Sequence, residues 1–226
     1  VLPLRDDTGA FTSDPGVLAS DVATLMETAN AGGAAFDTIV PLPACYLASY
    51  QPDGQWPDAP PLDEVYAAAR AAFPGARVEG GMHSYFTELN RHWPPVEALD
   101  AITHSTSAIV HAADDLSVME TLEALPSVFR TVRAHAPDRP YMIGPSGIAM
   151  RFNPYGAGTV PNPQNRRIAM VEADPRQRAL FNAAWSLGYV ARAAVGGVDG
   201  LCLSAPTGPF GIVWSPADRP QPWYDD

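Results

Sequence analysis

Lysine is missing altogether: all 14 basic residues of this 226-residue chain are arginines. That excludes Schiff-base chemistry and the phosphate-cradling lysine of a P-loop. Cysteine is scarce; Cys45 and Cys202 both fall in apolar, strand-like runs and are expected to be reduced core thiols rather than a disulfide. No run of roughly 18 apolar residues exists, so nothing is expected to span a membrane. Positive charge is short as well. Against 25 acidic residues the net charge is −11, which argues against nucleic-acid backbones and anionic membrane surfaces as partners. The chain opens on Val1 with neither an initiator methionine nor a signal peptide, the pattern of an excised piece or a processed product, and a cytoplasmic setting is expected.

What the chain does have is proline: 24 of them punctuate it into alternating units. Asp14-Pro15 reads as an N-cap and a first-turn proline, after which Leu18, Val22, Leu25, Met26 and Ala29 recur at helical spacing up to Gly32-Gly33. A strand is expected at Phe36–Leu42. Pro61 opens a second helix with Leu62, Val65, Tyr66, Ala69 and Phe73 on one face, and Arg77–Phe86 is the next strand. A short turn at Val96–Leu99 and a strand at Ala101–Val110 follow. Ser117-x-x-Glu120 forms a capping box for a helix that runs to about His135 and contains Pro126. Tyr141–Met150 reads as a strand and Arg151–Ala173 as a long polar loop. Asp174-Pro175 caps a long helix ending at Gly196-Gly197, ahead of a last strand at Val198–Ala205.

Repeated β-α units with strands apolar on both faces imply a parallel sheet. The fold class expected is α/β, a TIM (β/α)8-type barrel incomplete on its N-terminal side, with residues 1–226 one barrel domain or a fragment of one. An open doubly wound sheet also fits the alternation. The barrel is favoured because no strand leads into a glycine-rich phosphate fingerprint, and because chemistry-bearing residues gather at strand C-terminal ends. Five strands are clear, with a stub at Val1–Leu4.

Two segments carry most of those residues. The first, His83–Arg91, ends a strand in an acid, an amide and a guanidinium, groups costly to bury unless paired. Glu88 can serve as general base or acid, Asn90 can orient a hydroxyl, Arg91 can clamp an anionic oxygen, and His83 can add a contact. The alternative is a structural Glu-Arg pair. The second segment, His104–Asp115, offers His104 as a substrate contact and His111 with Asp114 as an imidazole–carboxylate base, although one aspartate there is expected simply to favour a helix N-terminus. No metal-ligand spacing is present among His83, Glu88, His104, His111 and Asp114, so neither a metal nor a cofactor is expected. Ser146 lacks the flanks of a nucleophile elbow. The long loop reads as a lid carrying Arg151, Asn153 and Tyr155. Tyr46, Tyr50, Trp56 and Trp93 on strand-following loops could stack on a sugar ring or simply pack.

Several of these runs together resemble one family. Gly-Gly-Met-His-Ser-Tyr-Phe-Thr-Glu-Leu-Asn-Arg (80–91), Val-His-Ala-Ala-Asp-Asp (110–115), Ser-Val-Met-Glu-Thr-Leu-Glu-Ala (117–124), Arg-Phe-Asn-Pro (151–154) and Asp-Pro-Arg-Gln (174–177) look like the D-apionate lactonases. The resemblance spans roughly residues 36 to 213 and implies the TIM-barrel domain of a longer protein with flanking β-rich domains. It also implies hydrolysis of D-apionolactone in sugar catabolism, with a small sugar lactone as the partner molecule. Such barrels are distantly similar to glycoside hydrolases with one glutamate after strand four and one after strand seven. Counting Val198–Ala205 as strand eight puts Glu88 after strand five and no carboxylate directly after strands four or seven. The paired carboxyls of a retaining glycosidase, about 5–5.5 Å apart, are therefore not expected. A glycoside hydrolase and a non-catalytic sugar-binding relative remain the alternatives, and an open sheet edge is compatible with a homo-oligomer.

Overall fold

The computed structural model describes residues 1–156, 158–208 and 210–213. Its contacts divide the described residues into two compact units: Val1–His104 with His135–Tyr141, and Ser105–Ala134 with the described residues from Met142 to Val213.

In the first unit, Asp14 accepts hydrogen bonds from the Gly16 and Val17 amides and starts α1, Pro15–Ala31, whose Leu18 and Val22 turn inward. Strand β1 is only Thr38–Ile39, and a 3-10 turn, Ala44–Leu47, follows it. Helix α2, Leu62–Ala72, buries Leu62, Val65, Tyr66 and Ala69, the face its spacing predicts; acids in its first turn and Arg70 in its last suit the dipole. Strand β2, Arg77–Tyr85, runs parallel to β1 with Thr38 opposite Arg77, and is buried on both faces beyond its first residue except at half-buried His83. All five residues of β3, Ala101–Ser105, are buried, and β3 lies beside β2. Gly81 permits that approach: its φ is +141°, and a Cβ there would sit 1.9 Å from the Thr103 carbonyl oxygen. The Ile102 amide donates to the Pro140 carbonyl, leading to the start of β4, Tyr141–Ser146. The N-terminal stub makes one parallel bridge, Leu2 to Pro43.

In the second unit, α4, Asp115–His135, contributes buried Val118, Leu125, Phe129 and Val132. Helix α5, Leu180–Val195, contributes Trp185, Tyr189 and Ala193. Strand β4 pairs in parallel with β5, Gly200–Leu203, with Met142 opposite Gly200. Two further short strands, β6 (Ala205–Thr207) and β7 (Gly211–Val213), pair with each other.

Several boundaries differ from the sequence expectation, each for a local reason. The strand expected at Arg77–Phe86 stops at Tyr85, and Phe86–Arg91 forms a short helix, α3. The strand expected at Ala101–Val110 stops at Ser105, and the Thr106 amide goes to the Ser146 hydroxyl. The strand expected at Tyr141–Met150 stops at Ser146, because the Ile148 and Ala149 amides bond the Gln177 side-chain carbonyl. Asp174 caps a 3-10 turn, Pro175–Arg178, and the long helix begins only at Leu180. The start of α4 is capped by Asp114 instead of Ser117: the Ser117 amide donates to Asp114. Both cysteines are free thiols, but only Cys45 is buried; Cys202 is exposed.

Candidate active site

Helix α3 leaves β2 directly, so its side chains stand beyond the C-terminal end of a parallel strand, where barrels of this class assemble their sites. Glu88 is buried at its third position. One carboxylate oxygen accepts from the Tyr85 amide at 3.1 Å, closing the N-terminal turn, and the other accepts from the Ser49 hydroxyl at 2.7 Å. The Ser49 oxygen in turn accepts from Arg91 Nη1 at 2.8 Å, and the same nitrogen reaches the Tyr50 carbonyl at 3.3 Å. A serine from the segment after β1 therefore bridges the acid and the guanidinium, which do not meet as a direct pair. Arg91 is half-buried, Asn90 exposed, and His83 half-buried on β2.

Beside this group lies an aromatic cluster. Tyr46 and Trp56 both stack on His92, with centroids 4.7 and 5.0 Å away and planes within 25° and 30°; Tyr50 packs on Trp56 at 5.3 Å. The aromatics on these loops thus pack against one another and against an imidazole. Trp93 does likewise on His135, 3.9 Å away and nearly coplanar. Burial lowers the His92 pKa below the usual histidine value and pushes the Tyr46 phenol up to about 12.

His104 lies deeper than the other candidates. It is fully buried on β3, with Nε2 2.6 Å from the Tyr141 hydroxyl and its ring tilted against Phe86, so it belongs to the core and not to an open surface. Among the described residues no hydrogen bond joins His111 and Asp114, the pair expected as a base. Both Asp114 oxygens bond Ser117, through its amide at 2.9 Å and its hydroxyl at 2.6 Å, while His111 is exposed. The Ser117 hydrogen bonds hold the Asp114 carboxyl below its ordinary pKa, the mark of a helix cap. In the long loop, Arg151 lies over the Phe152 ring. Asn153 accepts from the Tyr155 amide and donates to the Gly158 carbonyl, shaping a turn, and Tyr155 is exposed. Of the sequence-predicted residues, Glu88 and Arg91 are brought together in the first unit, which also holds His83, Asn90 and His104. His111, Asp114, Arg151, Asn153 and Tyr155 belong to the second unit.

Sequence reasoning missed Ser49, His92 and a buried network in the second unit. There Arg176, 2% exposed, donates through Nε and Nη2 to the fully buried Asp174 at 3.0 and 2.8 Å and through Nη1 to Asp115 at 2.9 Å; Arg167 holds the other Asp115 oxygen. Burial works against the Arg176 charge, but the two carboxylates outweigh it and raise its pKa. The capping signature of Asp174-Pro175 masked this pairing, since it accounts for the aspartate without its arginine. Among the described residues no group of three or more His, Cys, Asp and Glu side chains is placed to hold a metal ion, and no helix is long and apolar enough to cross a membrane.

Comparison with known proteins bears on this arrangement. The chain is 52% identical over 196 residues to the D-apionate lactonase of Brucella anthropi, a match that covers 87% of this chain and 32% of the relative. The chain therefore spans about a third of the length of that curated relative. Solved structures of a β-glucuronidase from Ruminococcus gnavus, one without ligand and one in complex with D-glucaro 1,5-lactone, are similar at 13% identity and a TM-score of 0.47. Each match covers 68% of this chain and 26% of theirs. Residues 9–225 match the model of the D-apionate lactonase TIM-barrel domain, and the chain belongs to that family.

Proposed function

We propose that the protein carrying this chain opens a branched sugar lactone, D-apionolactone or a close analogue, to its aldonate in the cytoplasm, as a carboxylic-ester hydrolase of carbohydrate catabolism. The observation that carries this reading is the 52% identity to a D-apionate lactonase across 87% of the chain. The chemistry required is modest: a base for the attacking water, and donors for the oxyanion that forms at the carbonyl. In this reading Arg91 and Asn90 supply donors at the mouth of β2, and His83 borders them. Glu88 acts through Ser49: its carboxylate fixes the hydroxyl, and the hydroxyl fixes the guanidinium.

The test is turnover by the full-length protein against a panel of aldonolactones and chromogenic glycosides, with and without a chelator. Lactones are expected to open at an undiminished rate in chelator while glycosides stay intact. Hydrolysis of glycosides alone would overturn the reading in favour of a glycoside hydrolase.

A further inference from the structure

The site described above has donors for an oxyanion, and its acid, Glu88, already accepts a hydrogen bond on each oxygen. A third ionisable group stands one residue beyond Arg91. His92 follows α3 at the C-terminal end of β2, and Tyr46 lies in the 3-10 turn after β1, so both occupy the end of the sheet where strands of this fold present chemistry. The imidazole packs on two rings, Tyr46 at 4.7 Å and Trp56 at 5.0 Å, whose own centroids are 6.3 Å apart, so the two share one side of it instead of covering opposite faces. The ring plane is thereby fixed, while neither ring nitrogen has a hydrogen-bond partner among the described residues. A phenylalanine would stack as well and would carry no polar atom into a half-buried position, where an unpaired nitrogen is unfavourable. An imidazole held against two neighbouring rings, with its nitrogens uncommitted, is arranged to use them.

We propose that His92 is the general base of the lactonase, a role that rests on the lactonase reading above. A ring nitrogen takes one proton from a water molecule as the water oxygen bonds to the lactone carbonyl carbon. The carbonyl π electrons move to its oxygen, and Arg91 faces the resulting charge. Collapse of that oxyanion breaks the acyl–oxygen bond of the ring, and the imidazolium returns the proton to the departing ring oxygen. One water is consumed, and the product is a hydroxy acid that ionises. The groups around the imidazole suit a neutral resting ring: Tyr46 and Tyr50 stay protonated, and the neighbouring Glu88 and Arg91 are joined to each other through Ser49.

His92→Phe keeps the stack and removes the nitrogens. In the full-length protein it is expected to lower kcat by at least about 100-fold with KM within a few-fold of wild type, and to leave the Tm nearly unchanged. His92→Gly guards against a folding defect in that variant, because added imidazole is expected to restore its turnover. A folded His92→Phe protein within tenfold of wild-type kcat, or a folded His92→Gly protein that imidazole does not rescue, overturns the assignment alone. A wild-type protein that opens no lactone overturns the lactonase reading and this role with it.

Discussion

Each unit holds a carboxylate and an arginine that depend on each other, and the two are built differently. Asp174 and Arg176 meet directly, fork to fork, with both side chains out of reach of solvent. Glu88 and Arg91 share the Ser49 hydroxyl, and the guanidinium stays half-exposed. A direct buried pair saturates its charges and contributes by fixing geometry; removing one partner strands the other in a medium that cannot solvate it. A relayed pair leaves donor capacity on the arginine, because one nitrogen holds the serine and the Tyr50 carbonyl while the guanidinium has others. The first arrangement is suited to structure and the second to meeting an anion.

That contrast can be broken experimentally. Arg176→Met should be the most damaging change, destabilising by about 3–5 kcal/mol because Asp174 is left charged and buried; urea unfolding measures it. An Asp174→Asn/Arg176→Met double variant should recover part of that loss. Gly81→Ala should come next, at about 2–3 kcal/mol, since its Cβ collides with the Thr103 carbonyl that β2 must pass. On the relayed side, Glu88→Gln should lower kcat by roughly tenfold or more, about 1.4 kcal/mol of transition-state stabilisation, while retaining most of the stability. If it unfolds the protein instead, Glu88 belongs with Asp174 and the contrast fails. Asp114→Ala should have the smallest effect, a slight fall in Tm from the lost α4 cap with kcat unchanged; lost activity would return Asp114 to the site.

The pH dependence sharpens the same point. Burial lowers the His92 pKa, so the folded protein resists protonating it while the unfolded chain does not. This group's contribution to stability is full above the unfolded value, about 6.5, and is lost as pH falls through the folded value. The acid limb of kcat/KM should accordingly lie below pH 6.5, and should vanish in His92→Phe.

The elements that could be read from the chain are those whose cause is local. Asp14-Pro15 starts α1 through bonds to residues two and three positions on, and the spacing of Leu62, Val65, Tyr66 and Ala69 fixes the inner face of α2. Strand ends were misjudged because side chains elsewhere take the backbone bonds: Ser146 takes the Thr106 amide across 40 residues. Of the candidate site, the acid and the arginine stand out in the sequence but the serine between them does not, since Ser49 lies 39 residues before Glu88 in an unremarkable loop. His92 carries no signal in the sequence, because Tyr46 and Trp56 meet it only in the fold. A carboxylate near a histidine in sequence looks the same whether it serves the imidazole or a helix, and Asp114 bonds the helix residue Ser117.

Gln177 illustrates how far a side chain can stand in for a strand. Buried, it accepts the Ile148 and Ala149 amides on one oxygen and donates its own nitrogen to the Ser204 hydroxyl. Amide hydrogen exchange should therefore find two slow protons beyond the end of β4, in a segment with no regular structure of its own. Their exchange rates follow the opening of the Pro175–Arg178 turn that carries Gln177, so two backbone protons serve as a clock for the turn that anchors Arg176.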